Sequence, residues 1–506
     1  MPPRLRCALP RACLPRAALR HQTSSFQRRC ASRAADAPDV YDVVCVGGGP
    51  AGLSVLAGLQ ASPITRGLRV ALIEGQDLQA NRLPQDASLD SFSNRCSSLT
   101  PASVKNLQGM WRGATMDRIT TEIGAWSHVN AVRVQPYQEM QVWDGVTDAR
   151  ISFDWGRQPT TIAYVMENIN TTSMLLARLE ELGGVDLMTG TKVGSIALGS
   201  DSDQMDQMDQ MDQMDLSSWP LLSLSNGRTL AARLLVGADG ANSPVRTFAG
   251  IEARGFDYDR HGVVASLTLE GPGWGGPAHK IAYQRFLPTG PIAMLPLPGN
   301  MSTLVWSTTP ERAARLTSLS HNDFVAMVNA GFRLSPADLE YLHSLDAGHE
   351  DEVAWREKHT PVDGRAIPMR TAHVQAGTVA SFPLRMRHAD TYTGERVALV
   401  GDAAHTIHPL AGQGLNQGQG DAAALVRAIS HAVQTGQDIG STLALESYNS
   451  ERYAANNAML GVCDKLHRLY SVESGPLVGL RSLGLRAVDA MGPLKAFFMN
   501  RAAGGP

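Results

Sequence analysis

The chain has 506 residues, 43% apolar and 18% charged, with a formal charge of −3: enough to bury a large core, and without the basic excess of a nucleic-acid binder. No apolar run approaches the ~20 residues of a membrane span. Of its six cysteines, Cys7, Cys13 and Cys30 crowd the N-terminus and Cys45, Cys96 and Cys463 stand far apart, so neither a metal site nor a disulfide framework is expected.

Residues 1–35 carry eight arginines, no lysine and no acid. Arginine or proline interrupts every apolar run there, so the segment reads as a mitochondrial transit peptide, with a basic arm as the alternative. Tyr41–Gln60, YDVVCVGGGPAGLSVLAGLQ, is a β-branched run halted by glycines and followed by an Ala/Leu pattern: strand, turn, helix. Gly47, Gly49 and Gly52 give the G-x-G-x-x-G spacing. The first permits the turn, the second lets backbone approach a pyrophosphate, and the third lets helix pack close to strand. A second apolar run, LRVALIE, ends in Glu74, an acid placed to accept hydrogen bonds from a ribose diol.

Asp203–Asp215, DQMDQMDQMDQMD, has a three-residue repeat with neither helical nor strand period, and reads as an acidic insertion between two strands. LLVGADGANSPVR (Leu234–Arg246) is another strand, ending in Asp239-Gly240. Between residues 256 and 375, stretches such as GVVASLTLE and STLVWSTT alternate with a period of two, which suits a half-buried antiparallel sheet. RVALVGDAAH runs into Gly401-Asp402; an aspartate beside glycine at a strand end can reach a ribose or ribitol hydroxyl, because the glycine leaves room for the ligand. GDAAHTIHPLAGQGLNQG (Gly401–Gly418) then predicts a helix starting near Gln413, and helical patterns follow to the end. In the last of these, Leu477, Leu480, Leu483, Val488, Met491, Leu494 and Phe497 recur mostly at three- or four-residue steps, accompanied by Arg481, Arg486 and Lys495. Such a tail suits packing on its own core, or docking on anionic lipid or a partner.

Three motifs in this order resemble the FAD-dependent aromatic hydroxylases of the para-hydroxybenzoate hydroxylase type: Gly47/Gly49/Gly52, Asp239-Gly240 and Gly401-Asp402. NRCSSLTPAS, EMQVWD, YQRFLPTGPIAMLPL, LVWST and HPLAGQGLNQG are similar to one branch, the ubiquinone-biosynthesis monooxygenases, over about Tyr41 to Phe497. The resemblance implies an α/β fold with a discontinuous Rossmann-like FAD-binding domain (38–140, 160–255 and 380–430), an inserted antiparallel-sheet substrate domain (141–159 and 256–375) and C-terminal helices (431–506). It implies that Gly47, Gly49, Gly52 and Glu74 hold the ADP half of FAD, that Arg95 lies against the flavin or its phosphates, that Asp239 and Gly240 lie by the pyrophosphate, and that Gly401 and Asp402 bind the ribitol. The stretch from Pro409 through Gly412, Gly414, Leu415 and Asn416 would pass along the isoalloxazine ring, with Asn168 a weaker flavin contact. Val104–Trp126 is longer than the branch pattern.

The expected reaction is hydroxylation, at C5, of a 4-hydroxy-3-polyprenylbenzoate-type ring by molecular oxygen through a flavin C4a-hydroperoxide. The helix starting near Gln413 would aim N–H groups at the flavin N1/C2 carbonyl, and the Pro409 carbonyl would accept from the oxygen-bearing group without a competing N–H. His405 has two readings, a proton-handling group and a hydrogen-bonded loop histidine; His408 reads as structural. Tyr283, Arg285 and Trp306 line a cavity on one reading and belong to the core on the other. The resemblance further implies ferredoxin and its reductase as electron donors, with NAD(P)H left open, membership of a ubiquinone-biosynthesis complex, and peripheral contact with the matrix side of the inner membrane. A flavin dehydrogenase or reductase on the same fold and a flavin-stabilised assembly subunit are the competing functions.

Overall fold

Five parallel strands order the molecule around one buried seam. β1 (Asp39–Val46), β2 (Val70–Ile73), β3 (Val185–Met188), β4 (Thr229–Gly237) and β5 (Val397–Leu399) stand side by side as β5-β4-β1-β2-β3. Strands buried on both faces read as continuous apolar runs, and Val43 to Val46 is such a run. The register brings the C-terminal ends level: Val46 pairs with Gly237 and Ile73, and Gly237 with Leu399. The computed structural model describes residues 37–108, 123–154, 160–201, 215–271, 279–360, 364, 366–407 and 412–502. The transit peptide expected at 1–35, the acidic repeat up to residue 214, part of the Val104–Trp126 stretch, His408 and Pro409 therefore lie outside the described residues.

Helix α1 (Pro50–Ala61) follows β1, with Pro50 in its first turn supplying a preset φ. It packs along α2 (Gln413–Thr435), where the Gly58 site leaves room for Val426 and Ser54 Oγ meets Gln419. Helix α3 (Thr442–Tyr470) starts at a Ser441 cap, and α4 (Pro476–Ala490) follows. The expected helix start near Gln413 is where α2 begins.

Among the described residues the second sheet has nine strands, including Glu139–Asp144, Arg150–Asp154, Ala253–Leu269, Ile281–Leu287, Gly290–Pro296, Met301–Thr308 and Ala380–Ala389. Its pairings are antiparallel except between Glu139–Asp144 and Ile281–Leu287, which run parallel. Alternation along each strand gives it two faces. Trp143, Tyr283, Leu287 and Trp306 pack beneath helices His321–Arg333 and Pro336–Ser344, whereas Val142, Phe286 and Ile407 cluster on the opposite face with Leu460 of α3 and Leu485 of α4.

Residues 256–375 read as alternating sheet, yet 310–359 form four helices. Their starts are marked by caps: Thr309, Ser320 and Ser335 each accept a hydrogen bond from the backbone N–H three residues on, and proline follows two of them. Those signals were present in TPER, SHND and SPAD and outweigh the period-two pattern upstream.

Candidate active site

Because four strand ends are level, the turns that leave them meet at one edge of the sheet, the position where open parallel sheets bind ligands. Gly47 follows β1, Glu74 follows β2, Asp239 follows β4 and Gly401 follows β5. Gly47 has φ +109° and abuts the Ala238 carbonyl, so a side chain there would strike backbone. Gly52 lies against the Gly47 carbonyl in the same way. Gly49 is different: a Cβ placed on it meets nothing within 4 Å, and its extended φ of −72° is open to any residue. The space beside Gly49 is thus open to a ligand at the start of α1.

Glu74 is fastened by two backbone donors, Gly48 N–H at 2.6 Å and Gln76 N–H at 2.7 Å, one to each carboxylate oxygen. Asp239 accepts the Val245 N–H at Oδ2 (3.2 Å), while its Oδ1 is buried with no partner among the described residues. Burial pushes the Asp239 carboxyl above the usual range, opposed by the nearby Ser243 and Val245 donors. A buried unpaired carboxylate oxygen at a strand end is unfavourable unless a ligand satisfies it. Asp402 has a solvent-exposed side chain, yet crowding by surrounding protein raises its pKa, with His405 opposing. Gly240 (φ +85°) and Gly401 (φ +60°) make the adjoining turns.

Two helix N-termini complete the edge. α1 follows Gly49 and α2 follows Gly412, and neither carries a side-chain cap, a feature shared by the helices at 168, 349 and 476, whereas α3 and the helices at 310, 321 and 336 are capped by Ser or Thr. Their first N–H groups and dipole ends are left for an anion or a polarised carbonyl. Gly412 is left-handed at φ +60°, and at Gly414 a Cβ would come only to within 3.8 Å of Ile407. Leu415 packs on the main core. Asn416 is saturated by protein: its amide donates to Ser98 O (2.8 Å) and Gly412 O (3.1 Å) and accepts from Thr100 N–H (2.9 Å) and Ser103 Oγ (2.7 Å). Its side chain holds α2 against the segment after Arg95, and any ligand contact falls to its backbone.

Arg95 is exposed, and its loop is held by Asn168 N–H donating to Arg95 O (2.9 Å) and Ser97 Oγ donating to Asn168 Oδ1 (2.7 Å). Asn168 therefore braces the Arg95 loop. Tyr283, Arg285 and Trp306 lie on the helix-covered face of the second sheet, where Arg285 donates to Gly331 O at 2.9 Å; the face shared with Ile407 carries Phe286 and Val142 instead.

The residue that sequence reasoning passed over is Asp421. Fully buried on α2, it accepts Gly401 N–H (3.1 Å) and lies 2.6 Å from His405 Nε2 through Oδ2, and it accepts Arg452 Nε (2.8 Å) and Asn456 Nδ2 (3.0 Å) through Oδ1. Despite burial, which acts upward, His405 and Arg452 hold its carboxyl far below the usual range. His405 is itself 1% exposed, so its ring belongs to this network. An aspartate within the Ala/Leu run of α2 was the available signal, since a charge there must be paired.

The open space at Gly49, the orphan oxygen of Asp239, the exposed Asp402 beside the Gly401 turn and two helix ends without side-chain caps fit a dinucleotide whose pyrophosphate and polyols need those donors and acceptors. Comparison with known proteins agrees. The FAD binding domain family matches residues 40–461. Over most of both chains the protein is similar to the curated "Ubiquinone biosynthesis monooxygenase COQ6, mitochondrial" of Saccharomyces cerevisiae (39% identity, 94% of this chain and 96% of that protein) and of Homo sapiens (36%, 92% and 92%). Among solved structures, the fold is shared with p-nitrophenol 4-monooxygenase PnpA from Pseudomonas putida DLL-E4, at TM-score 0.60 and 18% identity over 93% of this chain and 99% of that one. It is shared also with PqsL, a probable FAD-dependent monooxygenase from Pseudomonas aeruginosa, at TM-score 0.58 and 19% identity over 89% and 100%. By its sequence kinship and its FAD fold together, the chain belongs to the ubiquinone biosynthesis monooxygenases.

Proposed function

We propose that this FAD-dependent monooxygenase hydroxylates the ring of a 4-hydroxy-3-polyprenylbenzoate-type precursor of ubiquinone, at C5, in the mitochondrial matrix beside the inner membrane. The observation that carries the reading is the convergence of the Gly47, Asp239 and Gly401 turns at the level strand ends, beside the α1 N-terminus where Gly49 has no neighbour within 4 Å. Bound FAD, once reduced, supplies the two electrons that let molecular oxygen deliver one atom to an electron-rich ring and the other to water.

The chain's residues bind, orient and exclude water. Gly47 and Gly52 keep backbone and helix close enough for the α1 N-terminus to receive a pyrophosphate over Gly49. Glu74 keeps acceptor capacity for a ribose diol, Asp239 Oδ1 for a hydroxyl or water beside Gly240, Asp402 for ribitol, and Arg95 offers its cation to a phosphate. The N–H groups at Gly414 and Leu415 would be available to the flavin's polar edge, while Asn416 fixes the helix that carries them. Pro409, outside the described residues, would supply a carbonyl acceptor without a competing N–H. His405 acts through Asp421 as a positioning residue for the Gly401 turn. Ferredoxin with its reductase is the proposed electron source, and other ubiquinone-biosynthesis proteins are proposed partners.

The test uses the purified FAD-loaded chain, a reductant system and a short-tailed 4-hydroxybenzoate analogue under isotopically labelled dioxygen. One labelled atom in the ring hydroxyl is the expected result. Reductant consumption with no label in the product would instead establish a reductase, and quinone synthesis sustained by a folded flavin-free variant would establish an assembly role.

A further inference from the structure

The geometry points to Gln284 as the residue that recognises the ring hydroxyl of the substrate, an assignment that rests on the phenolic substrate proposed above. Gln284 lies in Ile281–Leu287, an interior strand of the second sheet with a neighbour on each side. Cross-strand partners share a face of the sheet. Gln284 pairs with Val142 and Ala293, Ala293 with Val305, and Val305 with Val264, so its amide is the one polar side chain in a row of valine and alanine. Gln284 is 5% exposed, and its side chain hydrogen-bonds to no other described residue. A buried amide without a partner is costly, and a bound hydroxyl would remove that cost.

The row lies on the side of the sheet that adjoins the candidate flavin site. On the same face, two residues to either side of Gln284, stand Ala282 and Phe286. Phe286 clusters with Val142 and Ile407, and a Cβ at Gly414, in the first turn of α2, would come within 3.8 Å of Ile407. Ala282 clusters with Phe92 and Tyr137, and the Tyr137 hydroxyl meets Ser98 Oγ at 3.1 Å in the segment after Arg95. Gln284 therefore stands between the two chain segments expected along the isoalloxazine ring. The face is open there: Ala293 and Val305 are half-buried, whereas Ile292, Met294, Leu304 and Trp306, which point the other way, are at most 1% exposed.

The chemistry of the amide selects the group it meets. An uncharged amide both donates and accepts, which suits a phenol hydroxyl. A buried carboxylate needs a cation beside it, and the row offers none. Arg481 reaches this face but is committed to Asp144, the cross-strand partner of Phe286, through both carboxylate oxygens. A hydroxyl held by Gln284 fixes the rotation of the ring, and with it the carbon that meets the oxygen delivered at the flavin.

The test uses the FAD-loaded full chain and two short-tailed analogues, a 4-hydroxy-3-prenylbenzoate and the same molecule without its ring hydroxyl, with binding read from the flavin absorbance. Wild type is expected to bind the hydroxylated analogue about tenfold more tightly, and Gln284→Met to bring the two within about twofold by weakening the hydroxylated one alone. Because the amide has no partner in the protein, the Gln284→Met apoprotein is expected to unfold at the wild-type temperature or above it. A wild type that does not separate the analogues, a variant that keeps the discrimination, a variant that weakens both alike, as carboxylate recognition would, or a lowered thermal midpoint would each overturn the assignment. Discrimination that depends on Gln284 in a chain placing no labelled oxygen in the ring would sink the hydroxylase reading and leave the recognition standing. Labelled product from a Gln284→Met variant with wild-type affinity for the hydroxylated analogue would do the reverse.

Discussion

His405 Nε2 and Asp421 Oδ2 lie 2.6 Å apart in a region where both side chains are fully excluded from solvent. The pair joins the start of the 401–412 stretch to α2, and Arg452 and Asn456 add the grip of α3 on the same carboxylate. Asp421→Asn removes the charge that Arg452 faces and leaves a buried cation short of its partner. We expect a loss of about 3 to 5 kcal/mol, read by denaturant unfolding, together with faster FAD release. A variant that unfolds like wild type would remove the network from the account of the site. The pH dependence has a definite sign. A carboxyl depressed in the native state stabilises fully above its unfolded value of about 3.9 and loses that contribution as pH falls through the depressed native value. Wild type should therefore be more acid-labile below about pH 4 than Asp421→Asn measured against its own neutral-pH stability.

Gly47 and Gly49 separate folding from binding. Gly47→Ala combines a positive φ with a collision against the Ala238 carbonyl, and should cost about 3 kcal/mol or more. Gly49→Ala meets nothing in the protein and should fold with an unchanged or slightly raised thermal midpoint as apoprotein. Its methyl group occupies the space assigned to the pyrophosphate, so flavin titration should show at least tenfold weaker binding. Equal flavin content in Gly49→Ala and wild type would place the cofactor elsewhere.

How much of this was legible beforehand depended on range. The glycine turns were readable because their requirements are local: a positive φ, a close carbonyl, a helix start. The strand-end aspartates were readable because strand, turn and acid are adjacent in sequence. The side on which Tyr283 and Trp306 fall was not, since alternation assigns two faces without saying which one helices will cover; that depended on the capped helices from Pro310 onward packing over it. Asp421 was missed for the same reason. Its partners His405, Arg452 and Asn456 are 16, 31 and 35 residues away, and only the packing of α2 on α3 and on the His405 segment reveals them.

The pair Arg481–Asp144 anchors α4 from inside, with both side chains at 1% exposure or less. Arg481→Leu would leave Asp144 buried without its cation, and a loss of about 3 to 5 kcal/mol is expected. The double variant Arg481→Leu, Asp144→Leu should recover most of that loss, because removing both charges is far less costly than orphaning one. Unfolding midpoints of the two singles and the double decide it; additive effects would mean the two residues act independently.

Asp239 provides the last test, because its two oxygens have different duties. Oδ2 takes the Val245 N–H, which an asparagine carbonyl can also accept, while Oδ1 is buried without a partner. Burial raises this carboxyl in the folded apoprotein, so the native state binds the proton more tightly than the unfolded chain does. Stability contributed by that group is present at pH below the unfolded value of about 3.9 and is lost as pH rises through the raised native value. Asp239→Asn escapes this loss: as apoprotein it should be at least as stable as wild type at pH 7.5, with the difference shrinking toward pH 4.5. It should nonetheless bind FAD at least tenfold more weakly, since the acceptor kept for the cofactor has become an amide donor. Thermal unfolding of the two apoproteins at both pH values, beside flavin titration, measures both effects. A variant less stable than wild type at pH 7.5 but unchanged in flavin affinity would make Asp239 a purely structural turn residue.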